Sequence, residues 1–121
     1  MSERTHLPAW QALEAHAATM TPTHLRELFA SDPQRFATPS LRHGDWFLDF
    51  SKQRLTPETI GLLVALASEA FVPEWIERMF GGERINVSEG RSVLHVALRR
   101  SAAPFPDAAS DVMKDVLDTR K

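Results

Sequence analysis

Apolar residues recur along this chain at helical spacing, except for one short run in the middle. Near the start, Trp10, Leu13, Ala17 and Met20 lie three and four residues apart, one stripe of a helix. Pro8 suits the first turn of that helix, where its missing N–H leaves nothing unsatisfied. A second helix is predicted to start with Thr21 as N-cap and Pro22 at the first helical position, with Leu25, Leu28 and Phe29 on one face. The stretch "SDPQRF" ends it. The period then changes in "RFATPSLRHGDWFLDFS". His43-Gly44-Asp45 is a turn signal and "WFLDF" a run of high β-propensity, so the pattern predicts a β-hairpin with arms near 36–41 and 45–50. Pro39, which has no N–H to give to a ladder, fits an edge.

Helical spacing returns in "LTPETIGLLVALASEAF", with Thr56 as cap, Pro57 opening the helix and Glu58 against the positive end of its dipole. Ile60, Leu63, Val64, Ala67 and Phe71 form its main face, and Leu62 and Leu66 widen it. A helix apolar over so much of its circumference calls for burial on more than one side. Pro73 begins a further short helix, "PEWIERMF", stopped by Gly81-Gly82. "SEGRSVLHVALRR" is predicted helical because "VLHVAL" does not alternate, with Ser88 as N-cap and Glu89 in the first turn. A last helix, capped at Asp107, carries Val112, Met113, Val116 and Leu117, and its pattern is still running at Lys121. With the broad apolar helix, that ending leads us to expect a piece of something larger.

Composition narrows the class. The chain has 121 residues, 43% of them hydrophobic and 25% charged, as expected of one soluble domain. Its net charge of −2 lacks the basic surplus of a nucleic-acid binder. The sequence has no cysteine, which excludes disulfides, thiolate catalysis and Cys-based zinc sites. "MSERTHLPAW" holds no continuous apolar signal region and no run approaches a membrane span, so a cytoplasmic protein is expected.

The residues that could carry chemistry concentrate in 81–100. If 88–99 is a helix, Arg91, His95 and Arg99 make one polar stripe opposite Val93, Leu94 and Ala97. That stripe could clamp an anion beside a histidine acid, or pack against another part of a larger protein; the sequence favours packing. Ser88 reads better as a cap than as the nucleophile of a triad, which geometry rather than proximity in sequence would establish. Asn86-Val87-Ser88 matches a glycosylation acceptor, incidental without a secretion signal. Lys52 and Arg54, with Arg42 and His43 across the turn, form a basic group read as a solvated face. The five histidines lack metal-ligand spacing. Trp10, Trp46 and Trp75 read as core or domain-interface anchors.

Three stretches, "LRELFASDPQRF" (25–36), "DFSKQRLTPETIGLL" (49–63) and "RMFGGERINVSEGRSVLHVALR" (78–99), together resemble the N-terminal portion of glucose-6-phosphate isomerases. The family shows an Asp-aromatic-Ser-Lys run before a capped helix, then Met-Phe-x-Gly-Glu-x-Ile-Asn, then Glu-Gly-Arg-x-Val-Leu-His-x-Ala-Leu-Arg, in this order. The resemblance implies a fold that is mostly α with one β-hairpin over 1–121, forming the N-terminal part of an αβα-sandwich enzyme of sugar-isomerase type. It further implies a cytoplasmic homodimer with no metal or organic cofactor, acting on a sugar phosphate and binding neither nucleic acid nor membrane. In such an enzyme a histidine–lysine pair opens the ring, a glutamate moves a proton between C2 and C1, and an arginine steadies the enediolate. A Ser/Thr-rich loop holds the phosphate. By the family's layout all of these lie beyond position 121. The resemblance therefore assigns no catalytic, substrate-binding or metal-binding residue to this chain and no complete catalytic domain. A stand-alone helical interaction module, docking through the broad apolar face of 57–71, is the alternative.

Overall fold

The computed structural model describes residues 3–100 and 112–120 and divides into two units, Met1–Ala70 and Phe71–Lys121. No single helix among the described residues is long and apolar enough to cross a membrane.

The first unit is built on two antiparallel helices, α1 (Pro8–Met20) and α3 (Pro57–Glu69), which pack together. Polar bonds join them at both ends. The N–H of Ala9, left without a partner at the start of α1, donates to Glu69 Oε2 at 2.9 Å. At the other end His16 Nε2 lies 2.7 Å from Thr59 Oγ1. Beyond it, Arg54 Nη1 donates to the carbonyl of Thr21, at 3.0 Å, where α1 leaves carbonyls open. These partners set the rotation of α1. Ala9, Leu13, His16 and Met20 turn inward, while Trp10 and Ala17 of the expected stripe are exposed. Counting apolar positions missed this because the inner face includes a histidine.

Helix α3 begins as expected, with Thr56 and Thr59 exchanging side-chain and backbone hydrogen bonds in a capping box. Its inner face differs from expectation. Thr59, Leu62, Leu66 and Ala67 are partly buried, whereas Ile60, Leu63 and Val64 are exposed, Val64 at 61%. One side of this apolar helix is covered and the other is not. Phe71 leaves the predicted face altogether. The helix ends at Glu69, and Phe71 takes a left-handed backbone (φ 57) that an aromatic residue adopts only at some cost.

Helix α2 (Leu25–Ser31) buries Leu28. Its cap is His24 rather than Thr21: His24 Nδ1 accepts from Arg26 N–H, and Glu27 accepts from His24 N–H. Thr21 instead closes α1, donating through both its N–H and its hydroxyl to the carbonyl of Ala17. The hairpin is shorter than predicted, β1 (Ser40–His43) paired antiparallel with β2 (Trp46–Asp49), because 33–39 are turns. Gly44 alone in the connection has positive φ (55), the type II′ pattern whose twist matches the strands. Pro39 precedes β1, and its carbonyl accepts from Phe50 N–H at 2.8 Å.

In the second unit, α4 (Val72–Phe80) ends in a Schellman motif. Gly82 at φ 74 donates to the carbonyl of Met79, and Glu83 donates to that of Arg78. The expected helix over 88–99 is absent. The chain turns back between Asn86 and Arg91, runs on without regular structure, and makes only a 3-10 turn at Ala97–Arg99. Helix α5 (Val112–Thr119) packs Met113 against Ala97, with Leu94, Val96, Val112 and Val116 around them, while Leu117 stays exposed. Its expected cap, Asp107, and Lys121 lie outside the described residues.

Candidate functional site

The first candidate lies in the polar stretch 81–100. Asn86 and Arg91 exchange backbone hydrogen bonds (3.0 and 3.2 Å) and close a four-residue loop, in which Gly90 supplies the required positive φ of 62. Asn86 organises the loop from within. Its Oδ1 accepts from the Ser88 hydroxyl (2.9 Å) and the Glu89 N–H (3.3 Å), and its Nδ2 donates to Glu89 Oε2 (3.1 Å). That carboxylate oxygen also takes Arg91 through both Nε, at 3.0 Å, and Nη2. Side-chain-to-backbone bonds of this kind compete with helix formation, and here they displace the predicted helix.

This geometry removes the chemistry the residue types suggested. Ser88 is neither a helix cap nor a nucleophile, since its hydroxyl donates to an amide oxygen and no histidine accepts from it. Without the helix, Arg91, His95 and Arg99 do not form a stripe. Arg91 is neutralised by Glu89, and His95 makes no side-chain hydrogen bond among the described residues. Asn86-Val87-Ser88 runs from the closing pair into the loop. An open cleft of about 620 Å³ borders this loop between Arg84, Asn86, Arg91, His95 and Val112. The hydroxyl of Ser92, which also lines it, donates to the carbonyl of Gly82 at 2.7 Å rather than to a base.

A more tightly constructed polar site lies at 49–55, and sequence reasoning missed the residue at its centre. Arg35, only 3% exposed, sends Nε to the carbonyl of Ser51 (3.0 Å) and Nη2 to those of Gln53 (2.6 Å) and Leu55 (3.1 Å). Its guanidinium sits 5.5 Å from the centre of the Phe29 ring. No carboxylate lies within ion-pair distance of it among the described residues. Three carbonyls thus solvate a buried cation and shape the loop leading into α3. Asp49 fixes the start of that loop by accepting Ser51 N–H at 2.8 Å. The Ser51 hydroxyl, then its N–H, with Lys52 adding a nearby charge, holds the Asp49 carboxyl below its ordinary range. The only sequence hint for Arg35 was its place between Asp-Pro and Phe36, which has no periodicity to flag it.

Other sequence candidates resolve as structure. The basic group is dispersed, for Arg54 binds the Thr21 carbonyl and Arg42 lies over the Phe47 ring at 5.2 Å, leaving Lys52 and His43 in solvent. The tryptophans are not core: Trp10 and Trp75 are partly exposed, Trp75 under Arg78, and Trp46 is 75% exposed. Glu58, His16 and Thr59 have the order of an acid–imidazole–hydroxyl triad. The Glu58–His16 separation of 3.7 Å is too long for a hydrogen bond, and the Thr59 hydroxyl is already engaged by Thr56. They latch α1 to α3. No group of three or more acidic or histidine side chains among the described residues converges as a metal requires.

Both polar stretches are therefore loops held in shape. A family model described as phosphoglucose isomerase matches residues 49–121, beginning at Asp49 of the Arg35-held loop and running through the Asn86 turn. The chain belongs to this family. It is 50% identical over 117 residues to a glucose-6-phosphate isomerase of Methylococcus capsulatus, covering 96% of this chain and 21% of that protein. The same enzyme name belongs to a Deinococcus deserti protein, 52% identical over 92% of this chain and 19% of its own length. An Anaeromyxobacter dehalogenans glucose-6-phosphate isomerase is 58% identical over 76% of this chain and 17% of its own. The chain spans about a fifth of the length of the curated relatives it matches. The described elements, mostly helical with one antiparallel hairpin, agree with the fold class expected for the N-terminal part of a phosphoglucose isomerase.

Proposed function

We propose that this chain serves glucose-6-phosphate isomerase, the interconversion of glucose 6-phosphate and fructose 6-phosphate, as a non-catalytic segment. The observation that carries the reading is identity of about half over nearly the whole chain to enzymes of that name, of which it spans about a fifth. Its residues contribute framework: the α1–α3 pair, the loop held by Arg35 and the Asn86 turn give shape without presenting an acid–base pair to a sugar. Proton transfer, ring opening and phosphate binding fall to the rest of the enzyme. A cytoplasmic homodimer belongs to the same proposal, as its family resemblance implies. The test is a coupled assay for glucose 6-phosphate formed from fructose 6-phosphate. Residues 1–121 alone should give no turnover, and the same residues exchanged into the M. capsulatus relative for its matching segment should retain it. Turnover by the isolated chain, or none in a folded exchange, would overturn the reading.

A second reading has one observation in its favour, the uncovered side of α3 at Ile60, Leu63 and Val64. On that reading the chain is an interaction module in its own right. It requires a soluble, cooperatively unfolding 121-residue species, and a molten or aggregating chain would exclude it.

A further inference from the structure

The two faces of the hairpin differ in what covers them. The register places Leu41 opposite Leu48 and His43 opposite Trp46, so these four residues share one face, and Ser40, Arg42, Phe47 and Asp49 share the other. The second face is attended by its own chain: the Phe36 and Phe47 rings are 5.9 Å apart, Arg42 lies over Phe47, and Asp49 is bonded to Ser51. Among the described residues the first face shows no such contact, and Phe47, at 42%, is the least exposed apolar residue of the two strands. Trp46 is 75% exposed, Leu41 56% and Leu48 48%. A hairpin of only two strands is marginal by itself and needs a third strand or a packed surface.

We infer that the Leu41–Trp46–Leu48 face is a docking surface for the remaining four fifths of the isomerase polypeptide, an intramolecular partner presenting an apolar surface. The inference rests on the reading of the chain as a segment of that enzyme. Two arguments select this occupant over a second copy of the chain. One tryptophan and two leucines offer well under the ~800 Å² per partner of a standard protein interface, so the face alone is too small to hold two free chains together. Covalent continuity removes that requirement, because a tethered partner meets the face at high effective concentration. The length of the relatives supplies such a partner, about four times the polypeptide in this chain.

A photo-crosslinking residue at position 46 tests this in the full-length exchange enzyme, residues 1–121 joined to the remainder of the 50%-identical relative. Illumination should link position 46 to a peptide from the joined remainder of the same polypeptide. A link between the hairpins of two copies would overturn the inference in favour of self-association. Links confined to residues 1–121, or none, would overturn it in favour of a solvent-facing hairpin. Isomerase activity is assayed on the same sample. A folded but inactive exchange removes the functional reading, whereas an active enzyme without the link removes only the docking surface. If the whole exchange does not fold, grafting only residues 40–49 with the probe into the relative leaves its body intact and gives the same outcomes.

Discussion

The loop at 49–55 and the loop at 86–91 are both short, polar and part of the stretches by which the family is recognised, yet they keep their shapes by opposite means. The first is held from a distance. Arg35, sixteen residues before Ser51, reaches in and takes three carbonyls, adding a buried long-range anchor to the loop's own bonds at Asp49 and Gln53. The second holds itself, with Asn86, Glu89 and Arg91 bonding to one another over six residues at the surface. A loop fixed by a buried, long-range cation should fail with its anchor. A loop fixed by local exposed bonds should lose stability in small steps. Both present polar side chains in a small volume, and in both those side chains are consumed by structure.

The largest effect should come from the anchor. Arg35→Met keeps the length and most of the volume but leaves the carbonyls of Ser51, Gln53 and Leu55 without their donor. We expect a loss of roughly 3 kcal/mol, read as a lower urea midpoint, since each buried acceptor left unpaired costs about 1–3 kcal/mol. An unchanged midpoint would dissolve the contrast between the loops. Next comes Gly82→Ala, which forces a Cβ onto the left-handed residue of the Schellman motif and should cost about 1–2 kcal/mol in the same measurement. Asn86→Ala removes the organiser of the exposed loop and should cost about 1 kcal/mol, with amide exchange accelerated at Glu89 and Arg91 but not at Ser51. A loss as large as that of Arg35→Met would show that the two loops are not held differently.

The smallest effect concerns pH and the start of the first loop. The folded carboxyl of Asp49 is held below its unfolded value, so its contribution is present above the ordinary carboxylate range and is lost as pH falls through the folded value. The stability difference between the wild type and Asp49→Asn should therefore be steady near neutrality and shrink in acid. A gap that stays constant down through the carboxylate range would remove Asp49 as the ion holding Ser51.

Where the sequence was legible, the signals were local. Thr56 and Pro57 at the head of α3, Gly44 in the hairpin turn and Gly81-Gly82 after α4 are read from residue type because each satisfies its own backbone within a few positions. Thr21 misled because it follows the same rule at the other end of a helix, closing α1 instead of opening α2. Residues 88–99 misled because "VLHVAL" does not alternate and so suggested a helix, while Asn86 and Gly90 offered the backbone a tighter alternative. The inner faces of α1 and α3 were misjudged for a different reason. His16 and Glu69 are polar by type and inward by partnership, and the partner lies more than forty residues away in each case.

By itself the sequence determined the helical and hairpin segments, several of their caps and stops, and the resemblance to the isomerase family, since these are written in neighbouring residues. Which face of each helix turns inward, whether reactive side chains meet and what becomes of Arg35 were decided only in the tertiary structure. Those outcomes depend on groups far apart in sequence competing for the same hydrogen bonds, and a buried cation can go only where carbonyls converge to receive it.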